Sequence, residues 1–194
     1  MTGPRHFHPA EWVADIHEIQ NAQGNALFKN ATLSWLEPTI IERDVILPDH
    51  HQGGEYLYAI VRNHHRSLRR DTIEYIGLTT NPATRFYNHA KLEEIRSIRG
   101  TVSISFAPID FIHGRNRIRN IGRALEEIEH ILIWALSPAY NDRKFFSLPG
   151  MGKNRANAWH VINDGYRFAG RMPREIVFPW MLIKPGRDRS LRAT

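Results

Sequence analysis

Residues 75–89, YIGLTTNPATRFYNH, oblige the chain to leave an extended strand and enter a helix within one short turn. Asn81 is a good N-cap and Pro82 suits the first helical position, where a missing N–H costs nothing. Arg85 and His89 are four residues apart and on one helix would share a face. Gly77, without a side chain, marks a place where a ligand can approach the backbone. A tyrosine, an arginine and a histidine gathered at one strand-to-helix turn form a site hypothesis in their own right.

The flanking sequence supplies partners for that strand. After Gly53-Gly54, residues 56–62 (YLYAIVR) have strand composition, and period-two alternation puts Tyr56, Tyr58 and Ile60 on one face and Leu57, Ala59 and Val61 on the other. Residues 72–78 read as a second strand, antiparallel to the first across a basic finger that holds His64, His65, Arg66, Arg69 and Arg70. The helix that starts at Pro82 is expected to reach Arg99 and stop at Gly100. Residues 101–111 are β-rich, and Pro108 within them points to an edge or bulged strand.

Arg115, Arg117, Arg119 and Arg123 form the densest basic patch and lead into the clearest helix. There Ile121, Ala124, Leu125, Ile128, Ile131, Leu132, Ala135 and Leu136 make one apolar stripe. Glu126 points away from the stripe, while Glu127 and Glu129 lie at its two margins, and the helical wheel does not choose between them. Pro138 ends the helix.

The outer segments are less regular. A helix is expected over residues 9–20, loosely structured chain wrapping the core over 31–48, irregular chain from Phe145, and a late strand over 176–183. Gly150-Met151-Gly152-Lys153 superficially resembles a phosphate loop, but Ser147 stands where that pattern needs glycine and Asn154 where it needs Ser or Thr. Lys153, Arg155 and Asn157 are better read as a flexible polar loop near a ligand. A single domain over residues 1–194 is expected, with a core at 53–142, an N-terminal extension at 1–52 and a C-terminal extension at 143–194.

Composition narrows the partners. A formal charge of +6 with arginine well ahead of lysine suits a polyanion such as nucleic acid. The chain has no cysteine, which excludes disulfides, thiolate metal sites and a cysteine nucleophile. His6, His8, His64 and His65 lack the regular ligand spacing of a zinc site. No signal peptide and no membrane-spanning run is read, so a cytoplasmic location without membrane partners is expected.

Set in order, these residues resemble the GIY-YIG endonuclease superfamily. Tyr75-Ile76-Gly77 matches the second half of its signature, and Tyr56-Leu57-Tyr58 stands at the first half, with Tyr56 in place of the leading glycine. Arg85 and His89 fall at the family's arginine and its tyrosine or histidine. Glu129 and Asn141, twelve residues apart and ending in Pro138-Ala139-Tyr140-Asn141, match its glutamate and asparagine, which selects Glu129 over Glu127. His89 looks most like the type II restriction enzymes of this superfamily.

The resemblance implies an α+β fold built on a small three-stranded antiparallel sheet flanked by helices. It also implies a Mg²⁺-dependent DNA endonuclease that hydrolyses phosphodiester bonds in double-stranded DNA, with Mn²⁺ able to substitute. Tyr58, Tyr75, Arg85, His89, Glu129 and Asn141 would be catalytic, and Glu129 would hold the single metal ion. In that scheme Arg85 grips a phosphate oxygen, Tyr58 acts as general base, neutral His89 receives its proton, Tyr75 orients water or phosphate, and Asn141 holds the site together. Arg66, Arg69, Arg70, Arg115, Arg117, Arg119, Lys153 and Arg155 are the candidate DNA contacts. Paired cuts at a palindrome would most simply require a homodimer. The competing readings are a nicking or structure-specific nuclease and a catalytically silent nucleic-acid-binding module.

Overall fold

In β3 (Tyr56–Asn63) the alternation of the sequence becomes two separate cores. Leu57, Ala59 and Val61 enter one hydrophobic cluster, and Tyr58 and Ile60 enter another. The computed structural model describes residues 15–41, 56–64, 70–111, 121–144, 146–150 and 156–186. β4 (Thr72–Thr79) and β5 (Thr101–Asp110) pair antiparallel with β3 on its two sides.

The helices cover the two clusters. α3 (Ile121–Leu136) places Ala124, Ile128, Ile131, Leu132 and Ala135 in the first, so the apolar stripe of the sequence is its buried face. α2 (Ala90–Arg96) places Leu92 and Ile95 in the second, beside Ile104 and Phe106 of β5. Burying an isoleucine or leucine side chain stabilises the fold by roughly 1.5–3 kcal/mol, which makes the α3 face the main anchor for the helix.

The sheet does not end at three strands. Ile109 and Asp110 of β5 pair with β1 (Lys29–Trp35), and β2 (Thr39–Ile40) also pairs with β5. β1 runs parallel to β6 (Trp159–Gly165), and β7 (Glu175–Phe178) and β8 (Leu182–Lys184) continue antiparallel. Among the described residues the result is an eight-stranded sheet in the order β4-β3-β5-β1-β6-β7-β8, with β2 beside that path, curled into a half-barrel with few helices. This overturns the expectation of a small three-stranded sheet flanked by helices. The segments read as extensions supply β1, β2, β6, β7 and β8.

The physical reason lies in residues 31–35, which fall in the segment expected to be loosely structured. Ala31, Leu33 and Trp35 alternate along β1 and are almost wholly buried, so they need a partner surface. That surface is β6, more than a hundred residues away, and parallel pairing at such a separation leaves no hairpin turn to betray it.

Other expectations change in smaller ways. Of the helix foreseen over residues 9–20, the described part holds a single 3-10 turn, Ile16–Glu18. The late strand over 176–183 is two strands joined through Pro179 and Met181. Pro108 is not on a sheet edge, because β5 is interior; it occupies the last register pair with β3, where β5 passes over to β1.

The exit from α3 matters most for the site. Ser137 turns left-handed (φ +49°), and Pro138 cannot continue the helix. The chain then runs along β4, the outermost strand at that end of the sheet. The Tyr140 amide donates to the Glu74 carbonyl at 2.9 Å. Asn141 grips Ile76 with both ends of its amide: Oδ1 accepts from the Ile76 N–H at 2.9 Å and Nδ2 donates to the Ile76 carbonyl at 2.8 Å.

Candidate active site

α1 (Pro82–Tyr87) starts as the sequence foretells, with the Asn81 side chain accepting from the Thr84 N–H and Pro82 in the first turn. The helix expected to run on to Arg99 breaks at Asn88 and His89. His89 is the N-cap of α2, its Nδ1 accepting from the Leu92 N–H at 3.0 Å. Arg85 and His89 therefore meet across a break between two helices, not along one face.

They meet at Tyr58. The Tyr58 ring is fully buried and its hydroxyl lies 2.8 Å from His89 Nε2, while Arg85 Nε donates to the same oxygen at 3.1 Å. Phe86 packs edge-on against Tyr58 and stacks on the His89 ring, with planes 8° apart. Tyr75 stacks on Tyr58 and meets His89 edge-on. Gly77, opposite Tyr58 in the register, makes this packing possible. A Cβ there would stand 2.4 Å from the Tyr58 hydroxyl and 2.8 Å from Cε1 of Tyr75. The glycine thus makes room for a tyrosine of the site, where the sequence suggested room for a ligand. Gly77→Ala is expected to cost about 1–3 kcal/mol by overpacking, read as a lower denaturant midpoint in urea unfolding. An unchanged midpoint would mean that the Tyr58 ring has another place to go.

The hydrogen-bond directions constrain the chemistry. His89 Nδ1 must keep its lone pair to accept from Leu92, so the neutral ring carries its proton on Nε2 and donates to Tyr58. Burial, helped by the positive charge of Arg85, pushes the His89 pKa down to about 4 and keeps the ring neutral at physiological pH. Burial first, and the neighbouring Tyr75 next, raise the Tyr58 pKa above the ordinary phenol value, and a hydrogen bond with Tyr75 helps hold the proton on Tyr58. This corrects the expected relay. With Nε2 already protonated, His89 has no site for a proton from Tyr58; it acts as a donor that fixes the phenol.

Tyr75 is half-buried and faces a pocket whose wall includes Glu129, Asn141, Lys91 and Lys144. α3 packs along β4, and the Asn141 clip holds the loop after the helix beside Tyr75. Glu129 is 9% exposed, and its Oε2 accepts from Lys144 Nζ in an ion pair. Asp142, in the same pocket, is bridged to Lys91 at 2.8 Å.

The ambiguity between the two glutamates at the margins of the α3 stripe is resolved here. Glu127 faces inward, its Oε2 accepting from the Trp159 indole at 2.7 Å, the Asn157 side chain at 2.9 Å and the Asn157 N–H at 3.1 Å, and its Oε1 from Arg123 at 3.0 Å. Glu129 faces the pocket.

Of the expected site residues, Tyr58, Tyr75, Arg85 and His89 form one contact cluster, and Glu129 and Asn141 line the pocket that Tyr75 enters. Of the expected DNA contacts, Arg70 is exposed just before β4, its carbonyl accepting from Arg171 at 3.0 Å. Arg66, Arg69, Arg115, Arg117, Arg119, Lys153 and Arg155 lie outside the described residues. Sequence reading missed Lys144, whose only signal is its place three residues after Asn141. Comparison of the chain with family models, with curated proteins and with solved structures gives no match.

Among the described residues no three His, Asp or Glu side chains converge as a metal cage, and no helix is long and apolar enough to cross a membrane. Glu129, with Asp142 lining the same pocket, still suits a hard cation such as Mg²⁺, which binds through one or two carboxylates and completes its shell with waters and phosphate oxygens.

Proposed function

We propose that the protein is a Mg²⁺-dependent DNA endonuclease that hydrolyses phosphodiester bonds, of the sequence-specific restriction type. One observation carries this reading. Residues scattered from Tyr58 to Asn141 come together as an arginine held by a phenol that a neutral imidazole braces, beside a pocket lined by Tyr75, Glu129 and Asp142. Neither local packing nor the sheet requires that combination.

Each group has work to do in the hydrolysis. Arg85 uses Nε on Tyr58, which leaves further guanidinium N–H groups to grip a non-bridging phosphate oxygen and offset its growing charge. Tyr75 stacks on Tyr58 and can present its own hydroxyl to water or phosphate in the pocket. Tyr58 and His89 hold Arg85 and Tyr75 in place, and Asn141 fixes the strand that carries Tyr75. Glu129 would hold the Mg²⁺, which when bound polarises the phosphate and eases departure of the leaving oxygen.

The test is incubation of purified protein with varied duplex DNA in Mg²⁺ or Mn²⁺. Discrete fragments with paired cuts at one short sequence are expected, and EDTA should suppress them. Nicks or cuts confined to branched substrates would move the assignment to a structure-specific nuclease. The Lys144 ammonium on Glu129 favours a second reading, a non-cleaving DNA-binding module, for which salt-sensitive binding without cleavage would be the result.

A further inference from the structure

Glu129 is nearly buried in a pocket that Tyr75 and Ile133 also line, and a carboxylate so placed needs a counter-charge. Lys144 supplies it from the loop beyond Asn141. Lys144 is also held in the left-handed backbone region, with φ +66°, a conformation unfavourable for a residue with a side chain. Its side chain is one-third exposed, so a path to solvent is open to it.

From this arrangement, and resting on the nuclease reading above, we infer that Lys144 is a built-in competitor of the metal. In the DNA-free protein its ammonium occupies the Glu129 carboxylate and keeps divalent cations weakly bound. When DNA enters the pocket, the phosphate offers Lys144 a second anion, and Glu129 becomes available to the metal. Metal affinity is thereby coupled to the presence of substrate, which guards the site against hydrolysis before DNA is seated.

Two neighbours shape this exchange. Lys91 is already committed to Asp142 and Glu94, so it does not replace Lys144 on Glu129. The Tyr75 hydroxyl and the Asn141 clip are unaffected by departure of Lys144, because neither is among its contacts with Glu129.

The test is Mn²⁺ titration of the DNA-free protein, monitored by electron paramagnetic resonance of the free ion. Lys144→Met is expected to bind Mn²⁺ at least about tenfold more tightly than the unaltered chain, since a positive charge in contact with the ligand is removed. Lys144→Arg, which restores the charge, should return to the weak affinity, and Glu129→Gln added to Lys144→Met should abolish the gain. Lys144→Gln serves as the second neutral variant, and circular dichroism of each variant checks the fold. Equal Mn²⁺ affinity in the unaltered protein and in a folded neutral variant would overturn the inference. The gain in metal affinity without DNA cleavage by the unaltered protein would support the role of Lys144 and remove the nuclease reading instead.

Discussion

Glu129→Gln is expected to lose Mg²⁺-dependent cleavage by on the order of a thousandfold while still binding duplex DNA. The loss reflects the several kcal/mol that a bound metal contributes to stabilising charge in a phosphoryl transition state. Binding should persist because the basic surface is untouched, and folding should persist because the amide keeps the shape of the side chain. Lys144, partly exposed, can turn to water when its counter-ion goes. Single-turnover cleavage, filter binding and thermal unfolding measured on one preparation separate these effects. Cleavage at the unaltered rate would remove Glu129 from the chemistry.

Two residues earlier on the same helix, the expected result reverses. Glu127→Ala should lower stability by about 3–5 kcal/mol, because it removes a buried acceptor and strands the Trp159 indole and the Asn157 donors. For a chain of this size that corresponds to a fall in Tm on the order of 10 °C. The effect is also visible in pH. Burial works to raise the Glu127 pKa, but the hydrogen bonds from Trp159, Asn157 and Arg123 outweigh it and leave the pKa below the usual carboxylate value. A lowered folded-state pKa means that this stability is fully present above the ordinary carboxylate range and fades as pH falls through the lowered value. Glu127→Ala should therefore show a flatter acid limb in its stability profile. A drop in Tm of only one or two degrees would show that the donors find other partners.

This pair illustrates what was legible in the sequence. Periodicity located α3 and its buried stripe, and it placed both glutamates at the margins, but a wheel carries no information about which margin faces a cavity. That depends on Trp159, which reaches Glu127 from β6. The start of α1 was legible because capping is local. The break at His89 was not, since a histidine N-cap has no compositional signature and the helical pattern continues through it. Alternation along β3 was legible and correctly separates the two cores. The sheet was misjudged because its second half depends on the parallel pairing of β1 with β6, where each strand is short and neither has a turn leading to the other. The residues of the candidate site were nameable from their order along the chain, whereas the direction of the His89 to Tyr58 hydrogen bond needed the Leu92 N–H to be in view.

The Asn141 clip has a consequence for how copies of this chain can associate. An outermost strand ordinarily offers its free amides and carbonyls to a neighbour, and two such strands can zip into a continuous sheet across a dimer axis. On β4 the outward groups at Glu74 and Ile76 are already taken, by Tyr140 and by both ends of the Asn141 amide. Strand-to-strand dimerisation through β4 would have to strip the loop that carries Asn141 and Lys144 away from Tyr75. A pair of subunits cutting both strands of DNA would therefore have to join through some other surface, leaving the Asn141 clip on each β4 in place.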